Sequence, residues 1–257
     1  MRSGRAAAAI IALLLGGLMA TGNATAATAA PAPLINETFT KLASGVSWTD
    51  GDTITADTKW RVRFAGYGTI RAVDGTSRGV RLSPAAATAP GDTHAALVVS
   101  ATVLSRPCIN VTTRMRTSQQ LRTGSSPNPW ETGWLIWDFV DEAHFSYLAL
   151  KPNGWELGKR DPAYPGGQRF LATGATPATA IGQWRSANVV RSAGTMTVKL
   201  DGKVITKFTD RERPYSQGSV GMYTEDAAAD WDSIRVDGCY GDLSGSQHGR
   251  GRPPCRP

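Results

Sequence analysis

The chain has 257 residues, 28 of them Lys or Arg against 21 Asp or Glu, for a formal charge of +7. Arg2 and Arg5 stand at the very start, and Arg250, Arg252 and Arg256 stand in the tail against Asp242, so the body carries only about +3. That surplus is too small to argue for nucleic acid, and no RNA- or DNA-binding motif is present; it is compatible only with a mild preference for acidic polymers.

Arg2 and Arg5 precede an apolar stretch over 6–20, and small residues with several A-x-A options follow up to Ala30. This is the pattern of an export signal. The apolar run is shorter than the roughly 20 residues a membrane span needs, and no basic stop-transfer cluster follows it. The expected organisation is a signal peptide over 1–29, a flexible lead-in over 30–36, one domain over 37–237 and a Gly/Pro/Arg-rich tail over 238–257. The expected setting is secreted and extracellular, with no membrane span, and the mature chain is expected to be a monomer.

Glu37-Thr38-Phe39 opens the first strand, and 42–57 reads as loop with turn chemistry at Thr49-Asp50-Gly51-Asp52. Residues 60–64 alternate with period two, as a half-buried strand does. Short strands follow over 68–73 and 79–82, then a small-residue loop over 84–93 and an apolar strand over 95–104. Over 109–118, Ile109, Val111, Thr113 and Met115 share one face, while Asn110, Thr112, Arg114 and Arg116 share the other. Over 134–140, Leu135, Trp137 and Phe139 oppose Trp134, Ile136 and Asp138. Strands over 145–151 and 155–159 flank a Pro152-Asn153-Gly154 turn, a hairpin signature.

A polar loop over 161–170 precedes strands at 184–191 and 195–200, and Asp201-Gly202 turns tightly into 203–208. The last strands are 218–223 and 231–236, with the acid-rich stretch between them read as a turn. Beyond the N-terminal apolar stretch, no segment of ten or more residues shows a helical period. Many short strands with Gly and Pro turns predict an all-β, two-sheet antiparallel sandwich.

The three cysteines are Cys108, Cys239 and Cys255. In an exported chain an odd count predicts one disulfide and one remaining thiol. Cys239 could close a short loop with Cys255, or meet Cys108 if the last strand lies beside the one beginning at Ile109. Both pairings stay open.

The segment 188–202, followed by Gly218-Ser219-Val220-Gly221-Met222-Tyr223 and Trp231-Asp232-Ser233-Ile234-Arg235-Val236, resembles the C-terminal half of concanavalin A-like (laminin G-like) jelly rolls. Within that superfamily it is most similar to secreted bacterial 3-keto-disaccharide hydrolase-like domains and related carbohydrate-binding modules, over roughly residues 37–236. The resemblance implies a carbohydrate-active protein that binds an extracellular polysaccharide on a concave face and cleaves it as a glycoside hydrolase or a uronate (polysaccharide) lyase. The alternative it implies is a non-catalytic lectin-like or cell-envelope protein with structural calcium. The E-x-D-x-x-E strand of jelly-roll glucanases is absent, and the acidic cluster from Asp138 to Glu142 has different spacing. The Q-x-H and Y-F-K-x-G-x-Y strands of alginate-lyase-like jelly rolls are missing too.

A glycan site needs flat aromatic faces and planar polar groups, and acidic sugars add a demand for Arg or Lys. The substrate-binding candidates are Arg114, Arg116, Trp134, Lys159, Arg160, Gln168 and Arg169, with the polar face of 109–118 expected beside the strands at Trp134 and Phe145. Hydrolysis wants two carboxylates about 5–10 Å apart, here Glu156 with Asp138, Asp141 or Asp161. Elimination from an acidic polysaccharide wants a base, here His144, Tyr147 or Lys151. The competing reading places Trp137, Trp155 and Leu157 in the core. Jelly rolls of the resembled type often hold calcium between first and last strands; the resemblance thereby points to Glu37 and Asp232 as hard carboxylate ligands for a structural Ca²⁺.

Overall fold

The computed structural model describes residues 31–74 and 78–239. The predicted signal peptide, Cys255 and nearly all of the predicted tail lie outside the described residues. Seventeen strands follow in chain order: β1 (Ile35–Glu37), β2 (Ser47–Trp48), β3 (Thr53–Thr55), β4 (Lys59–Phe64), β5 (Thr69–Val73), β6 (Gly79–Ser83), β7 (Ala95–Ser100), β8 (Cys108–Gln120), β9 (Gly133–Asp141), β10 (His144–Lys151), β11 (Gly154–Arg160), β12 (Gln168–Gly174), β13 (Arg185–Ser192), β14 (Thr195–Leu200), β15 (Lys203–Thr209), β16 (Ser219–Glu225) and β17 (Ala227–Gly238). Among the described residues the only helical element is a 3-10 turn at Pro165–Gly167.

The strands form two sheets. The first runs β15-β14-β13-β8-β17-β6-β5-β2, with β1 also paired to β17; the second runs β12-β11-β10-β9-β16-β7-β4-β3. Neighbouring strands are antiparallel throughout. One apolar cluster joins the facing sides of both sheets, with Val111, Met115, Val189 and Trp231 from the first and Trp60, Leu135, Trp137 and Leu157 from the second. Burial of each large side chain there contributes about 1.5–3 kcal/mol. A second cluster consists of second-sheet residues alone, including Trp134, Ile136, Tyr147 and Tyr223, and therefore marks that sheet's outer face.

Three expectations are corrected. Residues 168–170, read as the end of the polar loop, instead open the edge strand β12. The acid-rich stretch before Trp231 is strand rather than turn: the chain reverses at Asp226, at φ 41°, and β17 begins at Ala227. Asp226 and Asp230 tolerate that buried setting because Arg122 takes the first while Arg81 and Arg116 take the second. On β9 the alternation breaks at Asp138, φ 52°, beside a register shift against β16. A bulge of this kind flips the side chains that follow it. Phe139 consequently joins the outer cluster instead of the face shared by Leu135 and Trp137.

The register between β8 and β17 sets Gly238 opposite Ile109. Cys239 thereby meets Cys108, with Cα atoms 5.3 Å apart, and the two form a disulfide.

Candidate functional site

Alternation along five strands of the second sheet builds a polar and aromatic surface on its outer face. Trp134 of β9 lies opposite Tyr223 of β16 and Ala149 of β10. Its ring stacks on Tyr147 at 4.5 Å between centroids and tilts against Tyr223 at 4.9 Å. Gly158 of β11 pairs with Tyr147, and a Cβ there would collide with the Tyr147 hydroxyl. That position is therefore restricted to glycine by close approach.

Polar groups frame these rings. Tyr147 donates its hydroxyl proton to Glu156 Oε1 at 2.8 Å, and Lys151 Nζ donates to Glu156 Oε2 at 2.9 Å. Gln168 Nε2 donates in turn to the Tyr147 oxygen. Tyr223 donates to Glu225 Oε1 at 2.6 Å, and Trp134 Nε1 donates to the Trp130 carbonyl at 3.1 Å. Together Trp130, Trp134, Glu156, Gln168, Phe170 and Glu225 line a recess of about 290 Å³. Its two rim rings are open to solvent, Trp130 at 45% and Phe170 at 61% exposure. Trp130 is set by its neighbour Glu131, whose carboxylate is held by Arg122 at 2.6 Å and Asn128 at 2.7 Å.

Five predicted residues thus share this face or its hydrogen bonds: Trp134, Tyr147, Lys151, Glu156 and Gln168. Arg160 is close enough for its charge to act on Glu225 and Tyr223. The other candidates sit elsewhere. Asp138 is buried between the sheets in a two-bonded pair with Arg191, at 2.8 and 3.1 Å. His144 Nδ1 lies 2.7 Å from Asp141 Oδ1 in the β9–β10 turn. Lys159 is fully buried, donating to Asp210 at 2.7 Å and to the carbonyls of Glu212 and Arg213. Arg169 is spent on Asp210 and Glu212.

Arg114 and Arg116 lie on the other sheet, because β8 pairs with β13 and β17 while β9 pairs with β10 and β16. The expected groove joining them to Trp134 is corrected accordingly.

The predicted calcium pair is corrected too. Glu37 is 1% exposed and accepts hydrogen bonds from Phe39 N at 2.6 Å, Thr58 N at 2.8 Å and Trp60 Nε1 at 3.0 Å. Three donors compensate its charge without a cation. Asp232 is ion-paired with Arg114 on the outer face of the first sheet. Among the described residues no group of three His, Cys, Asp or Glu is arranged to hold a metal ion.

Sequence reasoning missed Glu225 and Phe170 as site residues; Trp130 lies in the same aromatic-rich stretch as Trp134 but was not carried into the substrate-binding candidates. Glu225 was legible in principle, being two positions from Tyr223 on one strand and therefore on the same face. Phe170 was hidden by reading its strand as loop.

Burial pushes the Tyr147 and Tyr223 phenols far above their ordinary range, and the adjacent Glu156 and Glu225 carboxylates push in the same direction. Tyr147 is therefore a proton donor to Glu156, poorly suited to serve as an eliminating base. Burial also raises Glu225, opposed by the Tyr223 hydrogen bond and the Arg160 charge. The unfolded chain releases this proton near 4.5 and the folded chain at higher pH. The stability linked to Glu225 is then complete below that value and declines as pH rises through the folded pKa. Glu225→Gln should accordingly raise the melting temperature at pH 8 more than at pH 4; an equal change at both would contradict this.

No protein-family model and no curated protein sequence matches the chain. Among solved structures it is similar to the metal-free exoplasmic/lumenal domain of VIP36, at TM-score 0.50 and 13% identity over 76% of this chain and 92% of that one. The Ca²⁺/Man3GlcNAc-bound form of the same domain matches at TM-score 0.48 and 14% identity, over 72% and 86%. Carbohydrate binding module CBM66 from Bacillus subtilis matches at TM-score 0.47 and 13% identity, over 74% and 96%. Identities this low speak to architecture alone, and the architecture is a two-sheet antiparallel β-sandwich.

Proposed function

We propose that this is an exported glycan-binding protein whose site is the recess on the outer face of the second sheet. One observation carries the reading: the solvent-exposed rings of Trp130 and Phe170 stand beside polar groups, Glu156 and Gln168, already oriented by Tyr147 and Lys151. A sugar ring offers an apolar face to the first and hydroxyls to the second, and a concave site with a few convergent polar groups is the usual form of a ligand pocket. The N-terminal signal pattern supports the extracellular setting.

A glycan array of the whole chain supplies the ligand, and titration with it supplies the test. Trp130→Ala and Phe170→Ala should each weaken binding about tenfold, equivalent to roughly 1.4 kcal/mol. Both side chains are open to solvent, so the melting temperature should stay within a few degrees. Unchanged affinity in both variants would remove the recess from consideration.

Hydrolysis is the second reading, favoured by two carboxylates in one recess. Burial raises Glu225 above the ordinary carboxylate range, the direction a general acid requires, while Glu156 faces the Lys151 cation. Release of reducing ends from the bound glycan, lost in both Glu225→Gln and Glu156→Gln, is the expected result; binding without release assigns the recess to recognition alone.

A further inference from the structure

We infer that the outer face of the first sheet is a second, separate binding site, an arginine row that takes the carboxylate or sulfate groups of an acidic polysaccharide. The row is fixed by strand register. Arg71 of β5 lies opposite Arg81 of β6, Arg81 opposite Asp230 of β17, and Asp230 opposite Arg116 of β8. Asp230 is wholly buried and accepts from Arg81 at 2.6 and 3.0 Å and from Arg116 at 2.8 Å. One carboxylate thus orients two guanidinium groups and neutralises only one of them.

Arg71 adds a further charge. It is exposed and has no acidic partner among the described residues, and it faces Arg81 directly across the strands. Like charges so placed repel each other, and a bridging anion relieves that repulsion. Trp184 covers the neighbouring end, with the Arg114 and Arg116 guanidinium carbons 4.5 and 4.8 Å from its ring centroid. Arg71, Arg81, Arg116, Trp184 and Asp230 contribute to the wall of a recess of about 490 Å³, which gives the row an open pocket.

The dimensions favour a polymer over a single ion. Four adjacent strands at the usual spacing extend the row over about 14 Å, enough for more than one charged group of a linear chain. Among the described residues the only aromatic ring lining this recess, Trp184, is occupied by two arginines, which leaves no free stacking platform of the kind single-stranded nucleic acid uses. Arginine forks match carboxylate and sulfate oxygens in pairs, and Asp230 holds two of these forks in place before any ligand arrives.

Calorimetric titration of the whole chain with oligogalacturonate, sulfated dextran oligosaccharide and neutral dextran tests the inference. Either charged probe, or both, should bind and weaken with added salt, and the pattern identifies carboxylate or sulfate as the recognised group. Arg71→Gln should cost about tenfold in affinity and Arg71→Glu more. Arg71→Glu should also gain a cross-strand partner in Arg81 and melt no lower than the native chain, which separates lost binding from lost folding. Trp130→Ala should leave these affinities unchanged, so this site stands or falls apart from the glycan recess. Equal binding by the native chain and both Arg71 variants would overturn the inference. Failure of both charged probes, loss of binding in Trp130→Ala, or tighter binding of a single-stranded oligonucleotide of equal charge would do the same.

Discussion

Arg122→Met should lower the stability of the folded chain by about 3–5 kcal/mol and weaken glycan binding in the same variant. Arg122 is 7% exposed, yet its guanidinium ties four segments together. It donates to Glu131 at 2.6 Å, to Asp226 at 2.9 Å, and to the carbonyls of Ala89 and Asp92 at 2.8 Å each. Removing the cation leaves two fully buried carboxylates without it, although Asp226 keeps the His94 backbone donor and Glu131 keeps Asn128. Uncompensated buried charge is among the few single changes able to cost this much. The link to binding is positional: Glu131 follows Trp130 and Asp226 follows Glu225, so the same residue braces both sides of the recess. Urea unfolding measures the first effect and glycan titration below the transition measures the second. A loss under 1 kcal/mol would mean that solvent reaches these acids.

Loss of the Cys108–Cys239 disulfide in a double Ser variant should cost about 4–5 kcal/mol, the chain-entropy effect expected for a very long loop. The bridge spans 131 residues and joins the start of β8 to the residue after β17. Those two strands already pair from Ala227 opposite Gln120 to Gly238 opposite Ile109, so the folded state should keep its geometry while the unfolded chain gains freedom. Unfolding midpoints of the native chain with and without reductant, compared with the variant, check this. Reductant sensitivity persisting in the double variant would place the effect elsewhere.

Strand positions were largely legible because side-chain alternation is a local property. The faces of 109–118 and the tight turn at Asp201-Gly202 survive almost unchanged in β8 and between β14 and β15. Where alternation was broken, reading failed. The bulge at Asp138 moved Phe139 to the opposite face, and the edge strand β12 carries too little buried surface to declare itself. The buried acids of β17 look like turn residues until the arginines that compensate them are known, and those come from 114 to 149 residues away in sequence.

The candidate site divides along the same line. Composition and strand period by themselves determined an all-β sandwich, and side-chain type brought Trp134, Tyr147, Glu156 and Gln168 under suspicion, because alternation and side-chain chemistry are both local properties. Tertiary structure alone decided which sheet each strand joins. It sent Arg114 and Arg116 to the face opposite Trp134, enclosed Asp138 and Lys159 in buried ion pairs, and chose Cys108 as the partner of Cys239. Sheet membership is set by hydrogen-bonded pairing between distant segments and by the fit of two apolar faces, and neither leaves a periodic trace in the local sequence.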